Sequence, residues 1–376
     1  MRDCRNALWP CAMTGAVTCF TGIRGIGTII HGPSGCYFFP ATVLHRRLYC
    51  TFLIEEDIIF GAEARLLELV ERLREEYEAV AVVNTCTPAI TGEEIRTCLP
   101  GEILMVDSPG FIGNFEEGYH AACRTLPARI DPETAGVNLD GLQLLDPFCA
   151  GNALEAQRVL AAAGVGVAAR FCDETLGGMR HSSGYSVHTN PDLSSGFGRS
   201  MGTLLGIAET GETLKRLEKT LDGVDLEAFE YDMETVGSAI ETSCEKFLMR
   251  HDPPVVAIFS GFSYADFAAR MLKHYLDASV TILGVRNAPG NSRFRTAEAS
   301  SLSAVQDLIA ADPPDLLLGS SFERMACPDA AFVPFTYPLR GMVRLKARPL
   351  VGIQGIAGLM EDVLNACLDH QDSLNT

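Results

Sequence analysis

Three short loops each place a cysteine beside glycine and proline residues. Cys11 lies in the first loop, Cys36 ends a second loop that begins at His31, and Cys86 follows an apolar run. Glycine lets the backbone approach a bulky ligand, and proline keeps a loop stiff. Cysteine thiolates hold iron–sulfur clusters, and nearby N–H groups can donate hydrogen bonds to the sulfur atoms. Because no C-x-x-C spacing is present, three buried thiols in small-residue loops are the alternative interpretation.

Two of these cysteines follow segments whose composition predicts strands. Residues 28–31 and 79–83 are short, mainly apolar runs, as expected of strands covered on both faces. Ligands of parallel sheets bind beyond the carboxyl ends of the strands. The positions of Cys36 and Cys86 therefore predict a site at one edge of a parallel sheet.

The same strand–loop–helix alternation continues along the chain. Residues 62–78, for example, place Leu66, Val70 and Leu73 on one face of a predicted helix. We predict an α/β protein of three Rossmann-like domains, each a parallel sheet flanked by helices. The predicted domains are an iron–sulfur cluster-binding domain over 1–130, a second α/β domain over 131–225, and a third with a C-terminal helix over 226–376.

Four local predictions are specific enough to compare with a structure. A helix is expected to begin at Thr91, because Glu93 and Glu94 would then lie in its first turn, where carboxylates suit the helix dipole. The others are a strand over 137–145 and helices over 200–221 and 226–250.

The cysteine loops resemble those of a known family. The sequence is similar to the nitrogenase component 1 family at four motifs that occur in the family's order: Cys11–Gly15, His31–Cys36, Glu56–Gly61 and Thr85–Ile95. Weaker similarity continues at residues 152–160, 315–321 and 352–358. The resemblance thus covers most of the chain, while its specific motifs lie in the first 95 residues.

This resemblance implies that Cys11, Cys36 and Cys86 are ligands of an iron–sulfur cluster, either 4Fe-4S or an 8Fe-7S P-cluster, at a subunit interface. Three thiolates leave a four-iron cluster one ligand short, which argues for a second chain or an additional ligand. The implied assembly is a homodimer or a heterodimer with a paralogous subunit. The candidates for an additional ligand within this chain are Cys4, Cys19 and Cys50, for each of which burial is the commoner role.

A polar, glycine-rich segment over 177–190 is a second candidate site. Its Arg180, His181 and His188 are candidate residues for binding an anionic substrate or a cofactor, and a solvated surface loop is the alternative. The basic stretch over 340–348 is a further candidate for pairing with substrate carboxylates, or else a solvated face.

The family's second cofactor is not expected here. Its catalytic subunits bind a large iron–sulfur cofactor through a cysteine of the second domain and a histidine of the third. No histidine lies between His274 and His370, and neither Cys149 nor Cys172 lies in the family's cysteine motif. The missing third-domain histidine therefore weakens the case for dinitrogen reduction by this chain.

Composition excludes several other classes of protein. With 30 basic and 48 acidic residues the net charge is -18, so the basic face that nucleic-acid binding needs is not expected. No apolar run predicts a membrane span and no signal peptide opens the chain, so a cytoplasmic protein is expected. In that compartment the 13 cysteines are better explained as ligands or buried thiols than as disulfides. No P-loop motif is present, so no nucleotide is expected on this chain.

The functional hypothesis is an iron–sulfur oxidoreductase subunit. As the resemblance implies, it would accept electrons from a separate ATP-dependent iron protein. It would pass them through the interface cluster to a substrate or second cofactor in the crevice between the domains, for example a tetrapyrrole or another low-potential substrate. The alternatives are a non-catalytic scaffold for metallocluster assembly and a binding protein whose cysteines are simply buried.

Overall fold

The computed structural model describes residues 8–131 and 133–374. The first sheet and its helices occupy the amino-terminal third of the chain. Their elements are α1 (Ala12–Gly22), β1 (Ile26–His31), α2 (Ser34–Leu44), β2 (Tyr49–Cys50), α3 (Glu55–Phe60), α4 (Glu63–Arg74), β3 (Ala79–Asn84), α5 (Cys86–Thr91), α6 (Ile95–Cys98), β4 (Leu104–Asp107) and α7 (Phe115–Cys123). The strand order is β2-β1-β3-β4, and every pair is parallel.

The second sheet is also parallel throughout. Its elements are β5 (Val137–Asp140), α8 (Cys149–Ala162), β6 (Val167–Arg170), α9 (Leu176–Met179), β7 (Tyr185–His188), β8 (Arg199–Thr203) and α10 (Ile207–Glu218). The strand order is β6-β5-β7-β8.

A long helix leads into the third sheet, which has five parallel strands. The elements are α11 (Glu227–Leu248), β9 (Val255–Ser260), α12 (Phe262–Leu276), β10 (Ser279–Val285), β11 (Thr296–Glu298), α13 (Leu302–Ala311), β12 (Leu316–Gly319), α14 (Ser321–Ala326), β13 (Ala331–Pro334) and α15 (Gly352–Leu374). The strand order is β11-β10-β9-β12-β13.

The predicted fold class, parallel sheets flanked by helices, is confirmed. The three sheets fall one after another in the three segments predicted as domains. The apolar core does not divide in the same way: one cluster joins Val187 of the second sheet to Ile258 of the third, and another joins Phe20 of α1 to Phe171 beyond β6. The domain boundaries therefore remain a prediction.

Helices α1 and α7 cross in direct backbone contact. A Cβ atom added to Gly15 would lie 1.8 Å from the carbonyl oxygen of Phe115, and one added to Gly118 would lie 1.7 Å from that of Ala12. Only glycine allows two helices to approach so closely. The crossing brings the amino-terminal caps of the two helices, Cys11 and Asn114, together in an isolated β-bridge.

The helix predicted from Thr91 is wrong in its position. Helix α5 begins at Cys86, directly after the extended residue Thr85, and Gly92 ends it in a left-handed conformation with φ +76°. The carboxylate of Glu93 instead accepts a hydrogen bond from the backbone N–H of Ala62. Cys86 therefore lies in the first turn of a helix rather than in a loop.

Two further predicted elements are partly wrong, and glycine explains both. The strand predicted over 137–145 ends at Asp140, because Gly141 turns the chain with φ +89°. The helix predicted over 200–221 begins only at Ile207, because Gly202 and Gly206 have φ values of +133° and +116° that a helix does not allow. The helix predicted over 226–250 is confirmed as α11.

Candidate metal centre

Cys11, Cys36 and Cys86 line one cavity of about 430 Å³. They are brought together from residues far apart along the chain: Cys11 caps α1, Cys36 lies in the first turn of α2, and Cys86 begins α5. Small-molecule and cofactor sites typically occupy roughly 300–1,000 Å³, so this cavity has the size of such a site.

Strand pairing explains why two of the three cysteines meet. His31 at the end of β1 pairs in register with Asn84 at the end of β3, so the loops that follow them start side by side. The hydroxyl of Thr85 donates to the carbonyl of His31 at 2.9 Å. A Cβ atom on Gly32 would lie 2.1 Å from Thr85 Oγ1, so only glycine lets the two loops touch.

Gly110 joins the third cysteine to this edge. It follows β4, the neighbour of β3, and its backbone N–H donates to Cys86 Sγ at 3.0 Å. A Cβ atom on Gly110 would lie 3.2 Å from Cys11 Sγ and 3.5 Å from Cys86 Sγ, so both sulfur atoms face the same small space. No role for Gly110 was predicted from the sequence.

The environment of Cys36 favours a neutral thiol until a cation arrives. Burial raises the pKa of Cys36 to about 11, and the nearby Cys86 and Cys11 thiols act in the same direction. A metal cation deprotonates a coordinating thiol, so ion binding and proton release would be coupled here. Cys11 and Cys36 also lie at the starts of eleven-residue helices, where the peptide dipoles favour negative charge.

The third sheet supplies the opposite wall of the cavity. Phe322, Tyr337 and Arg340 line it, and the Arg340 guanidinium lies 5.3 Å from the centre of the Phe322 ring. Trp9 lines the other side, and its indole N–H donates to both carboxylate oxygens of Glu116, at 3.0 and 3.1 Å. Phe322 and Tyr337 could not be predicted from the sequence, because no spacing relates them to the cysteines.

Two of the candidates for an additional ligand, Cys50 and Cys19, lie elsewhere. Cys50 is buried and its thiol donates to the carbonyl of Gly32 at 3.3 Å, whereas Cys19 belongs to a separate group of thiols. Cys4 lies outside the described residues. Within the described part of the chain, no fourth cysteine lines the cavity.

The second predicted site is not assembled by the fold. Arg180 and His181 are exposed, whereas His188 is buried at the end of β7, with Nε2 2.9 Å from Ser200 Oγ and Nδ1 3.6 Å from Asp140 Oδ2. Part of the segment over 177–190 is thus an interior strand rather than a loop. The binding role of the three residues remains a prediction.

The basic stretch is also divided. Arg340 lines the cysteine cavity, but Arg344 donates to the carbonyl of Pro334, and Arg348 forms an ion pair with Asp362. Only part of this stretch therefore presents charge toward the candidate centre.

The crevice between the three sheets is nearly closed. Trp9 of the first segment, Asp192 of the second and Tyr264 of the third line a space of only about 30 Å³. Small-molecule and cofactor sites typically occupy roughly 300–1,000 Å³, so this space is far smaller than such a site. In this structure the crevice therefore does not accommodate the substrate or second cofactor that we expected there.

Buried carboxylates around this crevice make stability pH-dependent. Burial raises the pKa of Glu116 from 4.5 to about 8, so the folded chain holds this proton more tightly than the unfolded chain. The stabilisation is complete below about pH 4.5 and is lost as the pH rises through about 8. We expect Glu116→Gln to gain stability over the native chain by up to roughly 1.4 kcal/mol per pH unit across that interval.

Urea unfolding at several pH values would measure this gain. Asp140 and Asp146, whose pKa values burial raises to about 7 and about 6, contribute in both proteins and cancel in the difference. The exposed Glu94→Gln variant is the control and should show no such trend. A pH-independent difference for Glu116→Gln would contradict the prediction.

Sequence reasoning also missed a second group of cysteines. Cys19, Cys123 and Cys172 are completely buried, and their sulfur atoms all lie within 4.8 Å of one another. Cys19 was considered only as an additional ligand for the cavity. These three thiols could hold a metal ion.

Comparison with known proteins decides the family. The sequence profile of nitrogenase component 1 type oxidoreductases matches residues 11–368. The chain belongs to this family. The matched residues include all three sheets, so the family's sequence pattern covers nearly the whole chain.

The curated relatives match over shorter regions. The nitrogenase iron-molybdenum cofactor biosynthesis protein NifE of Clostridium pasteurianum is 28% identical over 156 residues, which are 37% of this chain and 34% of that protein. Component CfbD of the Ni-sirohydrochlorin a,c-diamide reductive cyclase complex of Methanothermobacter thermautotrophicus is 36% identical over 95 residues, 23% of this chain and 26% of that protein. The chain therefore matches only about a quarter to a third of the length of these relatives.

A solved structure agrees in fold along almost the entire chain. Nitrogenase Cp1 at pH 6.5 superposes with a TM-score of 0.84 at 15% identity, covering 99% of this chain and 94% of that one. At this identity the likeness concerns the fold alone. Over the described residues, no helix combines the length and apolar composition needed to cross a membrane.

Proposed function

We propose that this chain is the iron–sulfur subunit of a nitrogenase-like oxidoreductase, with Cys11, Cys36 and Cys86 as cluster ligands. The supporting observation is that these three thiols, distant in sequence, line one cavity of cofactor size. Thiolates are the usual protein ligands of iron–sulfur clusters. The donor set therefore fits the group that the family resemblance implies.

Two further features of the cavity fit such a cluster. The Gly110 N–H that points at Cys86 Sγ is a hydrogen bond of the kind that tunes cluster potentials. Trp9, Phe39 and Tyr337 give the cavity an aromatic wall. A cluster bound here would supply one-electron transfer, with the three thiolates holding it and the Gly110 N–H donating to Cys86 Sγ.

A second subunit is proposed to complete the centre. The elements that carry the cysteines also carry unpartnered apolar side chains: Phe38 on α2 is 73% exposed and Ile90 on α5 is 70% exposed. Helix α3, which contacts α5, adds Ile59 and Phe60, and Ile112 lies two residues after Gly110. Exposed apolar residues concentrated on one set of elements are typical of a protein interface. We propose a homodimer or a heterodimer with a paralogous subunit at this face.

The proposed electron donor is a separate ATP-dependent iron protein, since the sequence contains no P-loop. The proposed acceptor is a low-potential substrate, with a tetrapyrrole as the first to test. A molecule of that size does not fit the 30 Å³ crevice, so we place its site at the face shared with the partner. The name of the CfbD complex, which specifies a nickel sirohydrochlorin, supports this substrate class.

A scaffold for metallocluster assembly is the second candidate function. It is favoured by the similarity to NifE proteins, which are named as cofactor biosynthesis proteins, and by the closed crevice. A scaffold would bind a cluster through the same thiols but would not turn over a substrate.

Anaerobic reconstitution with iron and sulfide tests the cluster site. The native chain is expected to become brown and to retain about four or more iron atoms per pair of chains. Cys36→Ala should lose most of this iron, whereas Cys98→Ala is the matched control, because Cys98 lies outside the cavity and donates to the carbonyl of Ile95. A colourless native protein, or equal iron in both variants, would reject the site.

Turnover then separates the two functions. The reconstituted protein is mixed with its iron protein, ATP and a low-potential donor, and a nickel sirohydrochlorin is offered as substrate. ATP-dependent substrate reduction that is absent in Cys36→Ala supports the oxidoreductase. Release of an intact cluster to an acceptor protein without reduction supports the scaffold.

A further inference from the structure

We propose that Cys19, Cys123 and Cys172 form a second metal site, separate from the cavity, for a single soft monovalent cation of the Cu(I) class. The three residues come from α1, from the end of α7 and from the turn after β6. The site therefore lies where the first sheet's helices pack on the second sheet. It rests on none of the residues assigned to the proposed iron–sulfur centre.

The sulfur geometry is close to that of a bound ion. Cys19 Sγ lies 3.4 Å from Cys172 Sγ and 3.6 Å from Cys123 Sγ. With metal–sulfur bonds of about 2.3 Å, trigonal sulfur ligands lie about 4 Å apart. Outward movement of the thiols by a few tenths of an ångström would thus admit one ion, whereas an iron–sulfur cluster would need much more room.

The backbone around Cys172 supports a built site. Cys172 has φ +61°, a left-handed conformation that residues other than glycine rarely adopt. It packs against α1 at Gly22, where a Cβ atom would lie 2.1 Å from the Cys172 carbonyl oxygen. Such conformations persist where the surrounding structure holds them, and they cluster at functional sites. Cys172 Sγ lies 3.4 Å from Cys19 Sγ in this arrangement.

Ligand number selects the class of ion. Among the described residues, no fourth histidine, cysteine or carboxylate atom completes the group, and all three side chains are fully enclosed. The nearby carboxylate of Asp140 is already held by the backbone N–H and hydroxyl of Ser195. Structural zinc sites need four ligands, whereas thiolates select Cu(I) among soft ions.

Binding of the ion would be coupled to proton release. A metal cation deprotonates a coordinating thiol, so each thiol that binds the ion as thiolate releases one proton.

Copper loading of the full-length chain tests the proposal. The parent is the Cys11→Ala, Cys36→Ala, Cys86→Ala triple variant, so that failure of the iron–sulfur centre cannot affect the result. It is expressed with Cu(I) present, because the enclosed site must be filled during folding, and is then challenged with a chromogenic Cu(I) chelator. We expect one retained copper per chain and an X-ray absorption spectrum with sulfur neighbours only.

Ligand variants and a matched control complete the test. Cys172→Ser and Cys123→Ser should each lower copper retention at least tenfold, whereas Cys244→Ser, which removes an isolated buried thiol, should leave it unchanged. Circular dichroism identifies any serine variant that fails to fold. The X-ray absorption spectrum of the parent tests the site even if one of these variants is unfolded. A folded parent that retains no copper, equal retention in Cys172→Ser and Cys244→Ser, or tighter retention of Zn(II) would overturn the proposal.

Discussion

Gly118→Ala is expected to lower the free energy of unfolding by at least about 3 kcal/mol, at the upper end of the cost of overpacking. The new Cβ atom would lie 1.7 Å from the Ala12 carbonyl oxygen, which is a backbone atom and cannot rotate away. The two helices must therefore separate. Urea unfolding under reducing conditions measures the loss.

Gly237→Ala is the matched control for this change. Gly237 also lies within a helix, α11, but no atom lies within 4 Å of its added Cβ. Alanine there should stabilise the protein by about 0.5–1 kcal/mol, because it has the higher helix propensity. Similar effects of the two variants would mean that the close crossing of α1 and α7 is not a constraint on the fold.

Gly110→Ala is expected to reduce iron retention on the order of tenfold, the usual cost of disturbing a residue that supports metal ligands. The backbone N–H to Cys86 Sγ would remain. The added methyl would lie 3.2 Å from Cys11 Sγ and 3.5 Å from Cys86 Sγ, and would occupy the space that both sulfur atoms face. Iron and sulfide content after anaerobic reconstitution is the measurement.

Gly101→Ala controls for the loss of a glycine in the same region. Gly101 is exposed, and no atom lies within 4 Å of its added Cβ. Its iron content should match that of the native chain. If Gly110→Ala also retained its full iron content while remaining folded, the space between Cys11 and Cys86 could not be the cluster site.

Local pattern predicted strands such as β3, because a continuous apolar run is a local signal, but it missed β8, which lies within the helix predicted over 200–221. The run over 79–83 is apolar at every position, and β3 is buried along nearly its whole length. Helices near glycine were predicted less well. Gly202 has its positive φ within β8, where it pairs with Val187 of β7, and this pairing joins segments that no local pattern relates.

The two groups of cysteines differ for the same reason. Cys11, Cys36 and Cys86 carry a sequence signal, since each lies in a glycine- and proline-containing motif in the family's order. Cys19, Cys123 and Cys172 lie in no such motif, and their sulfur atoms meet only because α1 crosses α7 and the turn after β6 packs on both.

Apolar periodicity and loop motifs are properties of neighbouring residues, so they were sufficient to predict the fold class and the cysteines of the candidate centre. Which side chains share a space depends instead on tertiary packing. This packing narrows the central crevice, buries His188 while His181 stays exposed, and places Gly110 beside two thiols. Such contacts depend on helix crossings and strand order, which bring together residues with no relation in sequence.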